Sequence, residues 1–177
     1  MNKNWAQSLI WVRQSEGGND DDPNDAGGRT SRGIEQREYD AYCEIVGAPK
    51  GDVWKAPDAI IDDIYHRAYW FPYCPTLPPG PDYVFFDEHV NSGLHEAVLI
   101  LQRALGVTAD GHIGVITSAA LSKADPKTLV NAMSDDRIRV YKVIEAEHPQ
   151  DVKFDKGWLN RVEFSRKNAL TLVGGVG

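Results

Sequence analysis

Cysteine is nearly absent from this chain. Two thiols, Cys43 and Cys74, in 177 residues exclude a disulfide framework, and both suit plain buried or half-buried positions. Long hydrophobic runs are missing too. No apolar stretch reaches about 18 residues, so neither a transmembrane helix nor stable membrane insertion is expected. The first apolar segment is interrupted by Ser8, Arg13 and Gln14, so it lacks a signal peptide's core and synthesis in the cytoplasm is expected. An excess of positive charge is lacking as well: the net charge is −7, which argues against nucleic acid as a partner. The five histidines are scattered, with no His-x-x-x-His or Cys-x-x-Cys spacing, so no metal site and no cofactor are expected. What remains is 42% hydrophobic and 25% charged residues, the composition of a globular protein long enough for one domain or two small ones.

Residues 16–34 stand apart from that background. An apolar-periodic segment runs into Glu16, and Gly17-Gly18 stop it. The stretch that follows is too rich in Gly, Asp and Asn for helix or central strand. Eight residues separate Glu16 from Asp25, and four separate Asp25 from Thr30. Two carboxylates and a hydroxyl around one turn-rich loop are the groups that split a glycosidic bond. Two plainer readings compete. Most Asp- and Gly-rich loops are solvated connections. Asp20, Asp21, Asp22, Asn24 and Asp25 are also oxygen donors for calcium, but the alternating rhythm and closing Glu of an EF-hand are missing.

The string Glu16-Gly17-Gly18, Asp22-Pro23, Asp25, Gly27-Gly28, Thr30, Gly33-Ile34 resembles the signature of glycoside hydrolase family 108, whose members are N-acetylmuramidases. Downstream segments resemble the same family. These are Ile64-Tyr65 with Tyr69-Trp70, then Phe86-Asp87 with Val90-Asn91 and Gly93, and finally Phe154, Gly157-Trp158 and Arg161. The run Leu101-Gln102, Ala104-Leu105-Gly106-Val107, Asp110-Gly111, Gly114, Thr117 is similar to peptidoglycan-binding helical domains, though Asp-Gly also simply makes a turn before a helix. Glu16, Asp25 and Thr30 also resemble the catalytic triad of phage-type lysozymes, with a second gap one residue shorter.

Periodicity predicts the helices. Residues 3–16 place Trp5, Leu9 and Val12 on one stripe, with Glu16 a turn beyond. A carboxyl at the end of a buried stripe is partly withdrawn from water, which suits a general acid. Further helices are expected over 35–47, stopped by Gly47, and from near Pro57 into Tyr69–Tyr73, with Ile60, Ile61, Ile64, Tyr65 and Ala68 on its apolar side, then from about Asp82, over 94–105, over 126–147 and over 154–172. Four prolines in residues 75–81 predict a stiff loop, and the tail 174–177 should fray. The aromatic cluster Tyr69-Trp70-Phe71-Pro72-Tyr73 is either core or a sugar platform. Asn91 offers an amide to a substrate acetamido group, or caps the next helix.

Together these observations predict a mainly α fold. The resemblance makes it lysozyme-like, with a short β-hairpin near residues 27–34. It also implies a catalytic part over 1–93 and a peptidoglycan-binding-like helical part over 94–173. The implied activity is hydrolysis of the β-1,4 bond between N-acetylmuramic acid and N-acetylglucosamine, with Glu16, Asp25 and Thr30 catalytic and Tyr69, Trp70 and Asn91 binding substrate. The implied partner is the peptidoglycan glycan strand, met by a monomer, and the implied setting is a phage lysis enzyme reaching the periplasm through a holin-type pore. A lytic transglycosylase, a chitinase-type enzyme and a non-catalytic wall-binding protein are the alternatives.

Overall fold

The computed structural model describes residues 4–16, 19–20, 29–147 and 152–174. Contacts divide the chain into two compact units, Met1–Phe71 and Pro72–Gly177. The fold is mainly α with a short antiparallel hairpin, as expected from the sequence. No helix among the described residues is long and apolar enough to cross a membrane.

The first unit begins with α1, Trp5–Ser15, which buries Ser8, Leu9 and Val12. Glu16 ends it with extended backbone, φ −86° and ψ 132°, while its N–H still donates to Val12 O at 3.0 Å. Three two-residue strands follow: β1 Asn19–Asp20, β2 Thr30–Ser31 and β3 Ile34–Glu35. They pair antiparallel in chain order, with Thr30 opposite Asp20 on one side and Glu35 on the other. Ser31 and Ile34, opposite one another in the next row, are fully buried, so that row faces the core. The hairpin turn therefore falls at Arg32-Gly33, within the expected 27–34; Gly27-Gly28 lie outside the described residues.

Helix α2, Gln36–Val46, starts with a capping box in which Glu35 and Glu38 each satisfy the other's backbone N–H. It stops at Gly47, whose left-handed φ of 69° no side chain adopts cheaply. Helix α3, Asp58–Ile64, opens just after Pro57 and passes without a break into a π-helix over Tyr65–Trp70. Phe71 N–H donates to His66 O across that wider turn, at 2.8 Å. The apolar run 60–68 looks like one ordinary helix, so the change of winding is not visible in its spacing, and Ala68 is exposed rather than part of the apolar side.

In the second unit, Pro81 is the first residue of α4, Pro81–Ala104. Two expected helices are here one element, bent at Gly93, whose φ of 85° and ψ of 166° are not helical. Helices α5, Val115–Leu121, α6, Pro126–Glu147, and α7, Val152–Val173, follow. Phe85, Phe86, Val98, Leu101, Val130, Met133, Val162 and Ala169 are buried from α4, α6 and α7. A charged cluster lies among them. Arg137, fully buried on α6, meets Asp87 Oδ2 at 2.8 Å and pairs with Glu88, while Arg161 of α7 reaches Asp87 Oδ1 at 3.1 Å. Burial raises the Glu88 carboxyl above the ordinary carboxylate range, and the Arg137 charge only partly opposes that. Cys43 and Cys74 are both free and buried.

Candidate active site

Glu16 is held where α1 meets the hairpin. Its Oε1 is removed from solvent although the residue as a whole is half-buried. The Arg32-Gly33 turn, with φ of 52° and 81°, packs against it. Positive φ at both central positions is the type I′ geometry that suits a two-residue hairpin. A Cβ on Gly33 would lie 3.0 Å from both Glu16 Cγ and Glu16 Oε2, and would fall on Tyr65 Oη. Only glycine lets backbone approach the carboxyl this closely.

The turn is itself anchored. Tyr65, fully buried, donates its O–H to Arg32 O at 2.7 Å. Arg32 Nη2 donates to Ala56 O at 2.8 Å, its Nε to Ser31 Oγ at 3.1 Å, and its Nη1 pairs with Asp58. Arg13, near the end of α1, donates to Asp62 Oδ1 at 2.7 Å and to Asp58 Oδ1 at 3.1 Å. Asp58 thus bridges α1 and the turn; Arg32, then Arg13, hold its carboxyl below the usual carboxylate range.

Thr30 sits on β2, two residues before the turn, and is half-buried. Its carbonyl accepts from Trp54 Nε1 at 3.1 Å. The Arg29 guanidinium lies 4.4 Å from the Trp54 ring centre and reaches Asp52 Oδ2 at 3.1 Å. Gln36 Nε2 donates to Gly51 O at 2.8 Å while its Oε1 accepts from Val53 N–H at 2.9 Å, pinning the 51–55 segment beside the hairpin. The β2–β3 hairpin thus carries Thr30 on β2 and presses its turn on Glu16. Asp25 and the acids of the calcium reading other than Asp20 lie outside the described residues; of Asp20 only the backbone pairing with Thr30 is described.

The expected substrate-binding residues occupy different settings. Trp70 is 1% exposed, its ring centre 5.5 Å from that of Trp5, so the core reading holds and no face is open to a sugar. Tyr69 is half-buried and donates its O–H to Glu38 Oε1, with its ring centre 5.6 Å from that of Tyr65. Burial, then the Glu38 charge, push its hydroxyl well above the usual tyrosine range, so it stays protonated. Asn91 belongs to the second unit and is exposed; its Nδ2 donates to Tyr141 Oη at 2.8 Å and to Ser92 Oγ at 3.1 Å. Tyr141 in turn stacks on Trp158 at 5.1 Å and 22°. Asp110-Gly111 forms the turn that the plainer reading predicts: buried Gln102 donates to Asp110 Oδ1 at 2.7 Å and accepts from Gly111 N–H at 2.9 Å.

Residues 9–93 match the family model described as Glycosyl hydrolase 108. The solved structure of Brucella abortus SagA shares 31% identity and a TM-score of 0.80, over 99% of this chain and 98% of that one. The chain belongs to the glycosyl hydrolase 108 family. Residues 96–163 of this family 108 hydrolase match a second model, Predicted Peptidoglycan domain. The protein is therefore a glycosidase acting on peptidoglycan, with a peptidoglycan-binding part. No curated protein matches it. The two matched segments meet at the Gly93 bend inside α4, whereas the compact units divide at Phe71 and Pro72.

Sequence reasoning missed Gly33, Tyr65 and Trp54 as neighbours of the site. Gly33 and Tyr65 are inside the motifs already quoted, so their fixed type was a signal without a stated role. The structure supplies one for each: close approach for Gly33, and a bond to the turn for Tyr65.

Proposed function

We propose that this hydrolase cleaves the β-1,4 bond between N-acetylmuramic acid and N-acetylglucosamine, with Glu16 as general acid. The observation that carries the proposal is the placement of Glu16: it closes a helix whose Leu9–Val12 stripe is buried, Oε1 is withdrawn from water, and Oε2 lies against a backbone turn. Glu16 donates its carboxyl proton to the glycosidic oxygen as the bond to the anomeric carbon breaks. Water adds to that carbon and gives a proton to Asp25, with the Thr30 hydroxyl holding the water. The role of Asp25 rests on its spacing from Glu16. A base acting through water inverts the anomeric centre and needs carboxyls about 6.5–9.5 Å apart, whereas a nucleophile needs about 5–5.5 Å. An endolysin-type enzyme, acting on the wall of a host cell, is the biological role that suits this pairing of a wall glycosidase with a wall-binding part.

Mass spectrometry of purified peptidoglycan digested by the protein tests the reading. Soluble fragments ending in reducing N-acetylmuramic acid are expected. Anhydro ends would make the protein a lytic transglycosylase, reducing N-acetylglucosamine ends would move the cleaved bond, and undigested wall with bound protein would make it a binding protein only.

A further inference from the structure

We propose that Tyr65 and the Arg32-Gly33 turn are positioning residues for Glu16, setting its carboxyl against the scissile oxygen. The inference rests on the acid role of Glu16 and goes beyond it. Glu16 is the C-cap of α1: its N–H still bonds Val12 O, but its own backbone is extended, so the helix does not fix its side chain. What fixes a side chain in that situation is the surface it packs on. Here that surface is the α-carbon of Gly33, close enough that one added methyl group would meet Glu16 Cγ and Oε2 at 3.0 Å.

The turn that supplies this surface is strained. Arg32 adopts a φ of 52°, the left-handed region that a side chain other than glycine enters at a cost. Such a conformation persists where surrounding contacts over-determine it. The contacts to Tyr65, Ala56 and Asp58 come from elsewhere in the unit, and they differ in strength. The Tyr65 O–H bond to Arg32 O is 2.7 Å long and its donor is fully buried. The Arg32 bond to Ala56 O is part-buried at 2.8 Å. The Arg32–Asp58 pair is weak by comparison, because the Asp58 side chain is 69% exposed and water screens it.

Tyr65 is therefore the main anchor. It also opens the π-helix over Tyr65–Trp70, a rare winding that recurs at functional sites. The same hydroxyl lies where a Gly33 side chain would go, so one oxygen holds the turn from outside and fills the space beside the carboxyl. Misplacing a reacting group by about 1 Å costs on the order of 100-fold in rate.

The test uses the full chain and soluble, uncrosslinked glycan strands, with kcat and KM separated and thermal unfolding followed in parallel. Tyr65→Phe keeps the ring and removes only the hydroxyl. It is expected to lower kcat about tenfold or more while KM stays within about twofold. Gly33→Ala is expected to lower kcat on the order of 100-fold. An unchanged kcat in folded Tyr65→Phe would overturn the inference, as would a loss that follows the fraction of folded protein. Should Gly33→Ala fail to fold, Tyr65→Phe decides alone. Glu16→Gln run beside them separates the two ideas. If it is inactive while Tyr65→Phe is fully active, positioning fails and the acid role stands. If it is active, both fail.

Discussion

The two units handle charge in opposite ways. In the second, Glu88 is nine-tenths or more withdrawn from solvent and is answered by the buried guanidinium of Arg137. Asp87 beside it is held by Arg137 and Arg161, so three helices are tied through one cluster. In the first unit, Glu16 rests against a backbone turn, with a tyrosine hydroxyl in the same space. The ion pairs of that unit are half-open: Arg13 and Asp62 are 28% and 37% exposed. A carboxyl that only binds helices together is best locked to a cation. A carboxyl that must give up a proton and regain it each turnover is best placed against rigid surface that fixes its position. The contrast explains why family-typical residues at Asp87 and Arg161 are glue, although they sit in motifs as fixed as that of Glu16.

Removing Arg137 should give the largest effect on stability. Arg137→Gln leaves Asp87 and Glu88 without their buried guanidinium, which costs about 3–5 kcal/mol. Urea unfolding measures it, and a cost below about 1 kcal/mol would show that the cluster is no tighter than a surface pair.

A smaller effect concerns pH. Burial raises the Glu88 carboxyl above its unfolded value, so the folded state holds the proton more tightly than the unfolded chain. The stability this contributes is full below the unfolded value and is lost as pH rises through the folded one. Glu88→Gln removes that dependence. The stability of wild type minus that of the variant should therefore fall as pH rises above the ordinary carboxylate value of about 4.3. A difference that grows with pH would mean that pairing with Arg137 outweighs burial.

The smallest effect is expected in the first unit. Arg13→Gln breaks the partly exposed pairs to Asp58 and Asp62, so a loss of about 1 kcal/mol or less should appear in the same unfolding experiment. A loss as large as that of Arg137→Gln would erase the contrast between the units.

Much of this was legible in the residues. Val12 to Glu16 marked the end of α1 and Gly47 stopped α2 because these signals are local, whereas Pro81, expected in a stiff loop, is the first residue of α4. The Arg32-Gly33 turn was not, because arginine is no turn residue and its left-handed φ is imposed by Tyr65, Ala56 and Asp58 from elsewhere in the unit. The Asp87–Arg137–Arg161 cluster was not, since its members are 50 and 74 positions from Asp87 and no period links them. Trp70 looked equally suited to core and to sugar; its burial, beside Trp5, decides for core. The helix at 58–70 was legible in extent but not in winding.

The most direct test of the central claim is the turnover of Glu16→Gln on soluble glycan strands, taken with its thermal unfolding. The amide is nearly isosteric with the carboxyl but has no acid proton to give. Unfolding should be unchanged within a few tenths of a kcal/mol of wild type, while kcat falls about 100- to 10,000-fold. A folded variant that keeps more than about half of the wild-type rate would contradict the account, because general acid catalysis is then not carried by Glu16.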